Sequence, residues 1–200
     1  MQRLSVQITK QLIQSGYISL EHEDAYIYCY DYLVENIKYD AIILITSLFL
    51  HRFFITLTFL ILFNILRHFS CGYHAKNRFV CNIMSYSIFG FFIFGSYLLS
   101  PSYISLLLPL FSICIFIIGR LSPVENHNKK YNTSQKKCAK KYIFFTLITA
   151  SALFLLFFNH KNISCCYALT YCVMVIAGSL LTQTYMNRFK DITDSRGDNQ

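Results

Sequence analysis

Charged side chains are scarce in this chain of 200 residues. They make up 14% of the sequence, whereas 54% of its residues are hydrophobic. Soluble domains usually carry about 25% charged residues. The scarcity therefore excludes an ordinary soluble domain and indicates an integral membrane protein.

A secretory signal is also missing from the first 40 residues. Such a signal has a basic start followed by an apolar stretch of about 7–15 residues. This segment instead carries acidic residues, namely Glu21, Glu23, Asp24, Asp31, Glu35 and Asp40. Apolar residues recur among these acids at roughly helical spacing, which predicts one or two amphipathic helices. Such helices either lie on the membrane surface or pack on the loops of the protein.

Six apolar runs follow the N-terminal segment. They cover residues 41–50, 53–66, 79–99, 102–119, 142–158 and 163–185. A membrane-spanning helix needs about 20 predominantly apolar residues, and the last four runs are long enough. His51 and Arg52 separate the two short runs. Residues 41–66 therefore form either one long helix or a hairpin, which crosses twice or re-enters.

The distribution of Lys and Arg favours the hairpin. If residues 41–66 cross the membrane twice, 16 of the 18 basic residues fall on one side. If they cross once, the basic segments are divided between the two faces. Because cytoplasmic loops carry an excess of Lys and Arg, we expect both termini, residues 67–78 and the basic loop 120–141 to be cytosolic. This placement also accounts for the net charge of +8 without a nucleic-acid partner.

The sequence thus predicts an all-α, polytopic integral membrane protein with about six membrane segments. We divide it into an N-terminal interfacial region over residues 1–40, a transmembrane domain over residues 41–185 and a polar tail over residues 186–200. The eight cysteines are expected to stay thiols. Several lie in apolar runs, where Cys acts as a small hydrophobe, and the polar ones face the reducing cytosol.

A basic segment rich in His and Cys, Arg67–Cys81, interrupts these apolar runs. A charged group inside a membrane costs about 2.5–3.5 kcal/mol on insertion scales, so such a cluster indicates a functional site. His74 and Cys81 form a minimal base–nucleophile pair, in which the imidazole takes the thiol proton. On one helix their separation corresponds to about 10.5 Å of rise, beyond hydrogen-bond reach. We therefore predict a turn after Gly72 that holds His74, and Cys81 in the first turns of a helix ending near Leu99.

A helix start before Cys81 would serve the chemistry in two ways. The positive end of the helix dipole stabilises a thiolate, and free backbone N–H groups can bind an oxyanion. Arg67, Lys76 and Arg78 add positive potential in the same segment.

The same segment also fits a metal site. His68, Cys71, His74 and Cys81 are all of residue types that bind zinc. Their spacing matches no standard zinc finger. From spacing alone, catalysis, metal binding and a set of satisfied polar residues at an interface remain open.

Two segments resemble the accessory gene regulator protein B family, the membrane cysteine endopeptidases of Gram-positive quorum sensing. The first has Arg67, Gly72, the pair His74-Ala75, and Cys81 seven residues after the histidine. The second, Leu121–Lys129, is similar to the family's Ala-Pro-Val-Asp/Glu…Asn-Lys segment. The N-terminal helix, the pattern of spans and the chain length also agree. Cys71 is a departure, since many members have Gly there.

The resemblance implies that His74 and Cys81 are the catalytic pair, with Arg67 and Gly72 shaping the turn. The family cuts a small precursor peptide on its C-terminal side and promotes closure of the remainder into a thiolactone or lactone ring, through a cysteine thiol or a serine hydroxyl of the peptide. The resemblance also implies a homodimer. We expect no cofactor and no metal. Four candidates for a third, orienting residue remain: Asn77, Asn82, Ser85 and Glu125.

The basic loop has two readings. Its lysines either keep the loop on the cytosolic side beside anionic lipid, or they capture the acidic C-terminal tail that the resemblance implies for the precursor. The candidates for capture are Lys129, Lys130, Lys136 and Lys137.

The alternative function from another class is a non-catalytic membrane protein that exports a peptide or binds a metal through the cluster of His68, Cys71, His74 and Cys81.

Overall fold

The computed structural model describes residues 2–17, 19–20, 23–70, 78–124 and 132–197. Within these residues the chain forms seven α-helices. They are α1 (Gln2–Gln14), α2 (Glu23–Phe49), α3 (Phe53–Ser70), α4 (Arg78–Tyr97), α5 (Ile104–Leu121), α6 (Thr133–Asn159) and α7 (Ile163–Gly197). The prediction of an all-α protein is confirmed.

Five of these helices, α3 to α7, are long and apolar enough to cross a membrane. The shortest two, α3 and α5, have 18 residues each and so measure about 27 Å, close to the hydrocarbon thickness of about 30 Å. They correspond to the last five predicted runs. The first predicted run, residues 41–50, forms the end of α2, which is not among the five.

The first compact unit covers residues 1–51 and contains α1 and α2, which pack together. The α2 helix continues from the acidic segment into the apolar run, because no Gly or Pro interrupts the sequence between Glu23 and Phe49. The boundary proposed after residue 40 therefore lies inside one helix. Ser5 and Thr9 are buried one turn apart on α1.

The chain leaves the helical conformation between α2 and α3. Leu50 and His51 form a turn in which His51 adopts a φ of 53°, and Arg52 is also outside a helix. This break excludes one continuous helix over residues 41–66, one of the two alternatives considered above.

The second compact unit, residues 52–200, is organised around α7. This helix packs against each of α3, α4, α5 and α6. Half of its membrane-spanning stretch is buried, compared with 22% for α4, α5 and α6. A buried stripe repeats every three or four residues, at Cys166, Leu169, Val173, Ile176 and Leu180. This spacing places the stripe on one face of the helix.

Stacked aromatic rings connect the surrounding helices. Phe111 of α5 stacks on Phe154 of α6 at 4.3 Å between ring centroids. Phe59 of α3 stacks on Phe92 of α4 at 4.6 Å. At its far end α7 continues to Gly197, so the segment designated a polar tail is mostly helical.

Candidate functional site

Cys81 is the fourth residue of α4 and is partly exposed. The predicted helix start just before this cysteine is confirmed, and the helix ends at Tyr97, two residues before the predicted end. The first turn of α4, as described from Arg78, lies directly before the thiol. Cys71, Gly72 and His74 lie outside the described residues.

The preceding helix, α3, ends in a set of polar and aromatic contacts. The guanidinium of Arg67 lies 5.8 Å from the ring centroid of Phe63, one turn earlier. The ring of His68 meets Phe69 edge-on at 4.9 Å between centroids. Phe69 in turn stacks on Tyr142 of α6 at 4.8 Å. The end of α3 is therefore packed against α6 immediately before the segment that carries His74.

The two segments that carry the family resemblance meet in space. The backbone N–H of Val124 donates a hydrogen bond of 3.3 Å to the carbonyl oxygen of Ser70, the last residue of α3. Ser122, Pro123 and Val124 are buried, with a cis peptide bond between the first two. The side-chain oxygens of Ser70 and Ser122 are buried without a hydrogen-bond partner among the described residues. Sequence spacing gave no sign of this contact.

Two tyrosines of α7 hold the helix that carries Cys81. The hydroxyl of Tyr167 donates a hydrogen bond of 3.1 Å to the carbonyl oxygen of Phe92, and that of Tyr171 donates one of 2.9 Å to Ile88. Both rings also pack on Phe92, at 5.6 Å between centroids. A Cβ atom at Gly95 would overlap the hydroxyl of Tyr167, so glycine allows this close approach.

Sequence reasoning treated these tyrosines only as members of the large aromatic fraction. Their spacing of four residues, which places Tyr167 and Tyr171 on one face of a helix, was the available signal.

Comparison with known families shows which family the chain belongs to. The profile of the family Accessory gene regulator B matches residues 5–178, which include both segments described above. The chain belongs to this family. Membership supports a role in the peptide processing of accessory gene regulator quorum sensing, and the five apolar helices fit a multi-pass membrane protein. No curated protein and no solved structure gives a significant match.

The basic residues of this family member lie partly on a helix. Lys136 and Lys137 are exposed in the first two turns of α6, whereas Lys129 and Lys130 lie outside the described residues. Asn132 caps this helix: its side chain accepts a hydrogen bond from the N–H of Thr133 at 2.7 Å, and the Gln135 side chain accepts one from the N–H of Asn132 at 3.1 Å. This reciprocal capping fixes where the helix begins.

Of the candidates for a third catalytic residue, the structure describes two. Ser85 is partly buried one turn after Cys81 on α4, and Asn82 is exposed. Asn77 and Glu125 lie outside the described residues. Ser85 is therefore the described candidate that shares a helix face with Cys81.

The metal alternative involves four residues, of which only His68 and Cys81 are described. In the described part of the chain no three His, Cys, Asp or Glu side chains lie close enough to hold a metal ion. Cys71 and His74 fall in the segment between α3 and α4 that is not described.

Proposed function

We propose that this member of the accessory gene regulator B family is a membrane-embedded cysteine endopeptidase that matures a signalling peptide. Cys81 is the nucleophile and His74 is the general base. The observation that carries the proposal is the position of Cys81 in the first turns of α4, directly after the segment that contains His74. Nucleophilic cysteines gain from a helix N-terminus because its partial positive charge stabilises the thiolate.

The first half of the reaction cleaves the precursor. His74 takes the proton of the Cys81 thiol, and the thiolate attacks the scissile carbonyl carbon. The oxyanion that forms can accept hydrogen bonds from N–H groups in the first turn of α4. As the peptide C–N bond breaks, His74 gives its proton to the departing amine. The N-terminal part of the peptide then remains on Cys81 as a thioester.

The second half closes the ring. A cysteine thiol of the bound peptide gives its proton to His74 and attacks the thioester carbonyl, which expels the Cys81 thiolate. Thioester exchange is nearly isoenergetic, so hydrolysis must be suppressed and the attacking thiol must be held close. The hydrogen bond between Val124 and Ser70 supports a site that is shielded from water. It places a second buried segment beside the end of α3, directly before the segment that contains His74.

The substrate proposed is a small peptide with an acidic C-terminal tail. Lys129, Lys130, Lys136 and Lys137 would attract that tail from the cytosolic side, where we also place both termini and the catalytic pair. Arg67 would add positive potential at the same end. A homodimer is the assembly that family resemblance suggests.

Electrostatic capture makes a salt-dependent prediction. Replacing Lys136 by Gln should slow processing more at low ionic strength than at high, because salt screens exposed charges. Processing rates measured across a salt series in reconstituted membranes test this. An equal loss at every salt concentration would contradict capture by charge.

Co-expression with the precursor peptide tests the catalytic assignment. Cys81→Ser and His74→Ala should each abolish the cleaved product, whereas Cys138→Ser is a matched control because that thiol is exposed on α6. Cleavage that persists in either of the first two variants would show the assignment to be wrong.

Thiol reactivity separates the enzyme from the non-catalytic alternative. Fast alkylation of Cys81 that slows in the His74→Ala variant supports the peptidase. A stoichiometric bound metal that protects Cys81 from alkylation would support the metal-binding or exporting protein instead.

A further inference from the structure

A groove of about 330 Å³ lies between the end of α5 and the start of α6. Its wall combines polar and apolar side chains from both helices and from the residue that follows α5. The lining residues are Gly119, Ser122, Lys137, Lys140, Lys141, Ile143, Phe144 and Leu147. We propose that this groove binds an anionic phospholipid, with the phosphate held at the lysines and an acyl chain on the apolar side chains.

The polar end of the groove is strongly positive. Lys137, Lys140 and Lys141 lie in the first three turns of α6. Neither α5 nor α6 contains an acidic residue, and between residues 41 and 190 the sequence has a single one, Glu125. The three ammonium groups therefore repel one another, and an anion bound among them would relieve that repulsion.

A buried hydroxyl also lines the groove. Ser122 is 6% exposed, and its side-chain oxygen has no hydrogen-bond partner among the described residues. A buried hydroxyl without a partner is unusual and calls for a ligand or water. Its oxygen is covered by protein atoms, so it would donate to a phosphate oxygen only after the Ser122 side chain turns toward the groove.

The opposite end of the groove is apolar. Ile143 and Leu147 are buried beneath it, and Phe144 is exposed beside it. The closest atom to a Cβ placed on Gly119 is a methyl carbon of Leu147 at 3.9 Å, so the floor is open at the glycine. From Lys140 to Leu147 the helix rises about 10.5 Å, which takes a ligand from charge at the helix start to apolar surface within the span.

The change from charged to apolar lining along the groove favours a phospholipid over an acidic peptide. A peptide tail satisfies the lysines but leaves the apolar floor uncovered, whereas a phospholipid covers both. Basic pockets between transmembrane helices bind anionic headgroups by the same combination of charges. Since α5 and α6 both have the length and hydropathy of membrane spans, the groove is in contact with the bilayer.

Lipid binding can be measured on the full chain in nanodiscs of phosphatidylcholine that contain increasing fractions of phosphatidylglycerol. Fluorescent phosphatidylglycerol gives the affinity, and native mass spectrometry counts the lipids that remain bound. Lys140→Gln should lower the affinity about fivefold, the effect of one lysine near a membrane surface. Lys136→Gln, which removes an exposed charge of the same helix outside the groove, should leave it unchanged.

The apolar floor has a charge-neutral test. Gly119→Leu should abolish retention of phosphatidylglycerol, because the added side chain fills the groove, whereas Gly119→Ala should retain it. Gly178→Leu is the matched control, because nothing lies within 4 Å of a Cβ at that position. If the Leu variant does not fold, the comparison of Lys140→Gln with Lys136→Gln still decides the proposal.

Four results would overturn the proposal. Equal losses of lipid affinity in Lys136→Gln and Lys140→Gln would indicate that the general positive potential of the surface attracts the lipid. Undiminished binding by Gly119→Leu would mean that no chain enters the groove, and competition by glycerol phosphate as strong as that by the lipid would indicate a simple phosphate site. An acidic peptide that binds in pure phosphatidylcholine and displaces the labelled lipid would identify a peptide as the occupant.

Discussion

The hydrogen bonds from α7 to the helix that carries Cys81 allow a quantitative test of how that helix is held. Tyr167→Phe and Tyr171→Phe each remove one hydroxyl and leave the ring in place. The acceptors, the carbonyl oxygens of Phe92 and Ile88, lie in the interior of α4 and keep their helical partners. No buried group is therefore orphaned, and each loss should be close to the average of about 0.6 kcal/mol measured for side-chain hydrogen bonds between membrane helices.

The double variant should lose about 1.2 kcal/mol in total if the two bonds are independent. Tyr171→Ala sets the upper reference. It also removes the ring that packs on Phe59 at 5.9 Å and on Phe92 at 5.6 Å, so it should cost about 3–5 kcal/mol. Tyr185→Phe is the control on the same helix, because Tyr185 is 69% exposed and its hydroxyl should contribute nothing.

Reversible unfolding in mixed micelles, driven by a denaturing detergent, gives these free energies. The reasoning is refuted if the double variant is as stable as Tyr185→Phe, since the hydroxyls would then not hold α4. It is equally refuted if Tyr171→Phe costs as much as Tyr171→Ala, since ring packing would then contribute nothing.

The remaining predictions concern backbone positions and use the same unfolding measurement. Gly90→Ala should stabilise by about 0.5–1 kcal/mol, because the site is open and Ala favours a helix interior. Gly95→Ala should destabilise the protein, because its Cβ displaces the Tyr167 hydroxyl and breaks the hydrogen bond to α4. Stabilisation by both substitutions would contradict the close approach of Tyr167 to Gly95. His51→Gly should stabilise by about 1 kcal/mol, because His51 has a φ of 53° that glycine adopts without strain; a loss would show that the His51 side chain itself contributes.

The spans were predictable because the membrane imposes a simple requirement on sequence. Backbone groups in the hydrocarbon core must be satisfied within a helix, so each span is one unbroken apolar run of similar length. The run predicted at residues 102–119 became Ile104–Leu121, and the one beginning at residue 163 begins there as α7. Hydropathy does not stop a helix, however, and α2 and α7 both extend into polar sequence.

The start of α6 illustrates a signal that the sequence contained and hydropathy did not reveal. The apolar run begins at residue 142, but the helix begins at Thr133. Asn132 and Gln135 have the spacing of a capping box, which specifies a helix start whatever the polarity of the residues that follow. The last part of the predicted basic loop, residues 133–141, is therefore helical and carries four lysines.

Part of the candidate site was also within reach of sequence reasoning. The predicted helix that carries Cys81 is described from Arg78 onward, whereas the predicted turn that holds His74 lies outside the described residues. The contact between Val124 and Ser70 was not predictable in this way. It joins residues far apart in sequence through backbone atoms, so neither the spacing of residues nor their hydropathy indicates it.

The helical start of α6 changes what its lysines can do. In a loop, Lys136 and its neighbouring lysines would contribute equally to membrane topology, peptide capture and lipid contact. On a capped helix their directions are fixed, and Lys137, Lys140 and Lys141 line the groove while Lys136 does not. The residues proposed for substrate capture and those proposed for lipid binding therefore differ, although both sets include Lys137. A variant at Lys136 should affect only peptide capture, whereas a variant at Lys140 should affect lipid binding in the groove. The two variants should therefore separate the two activities.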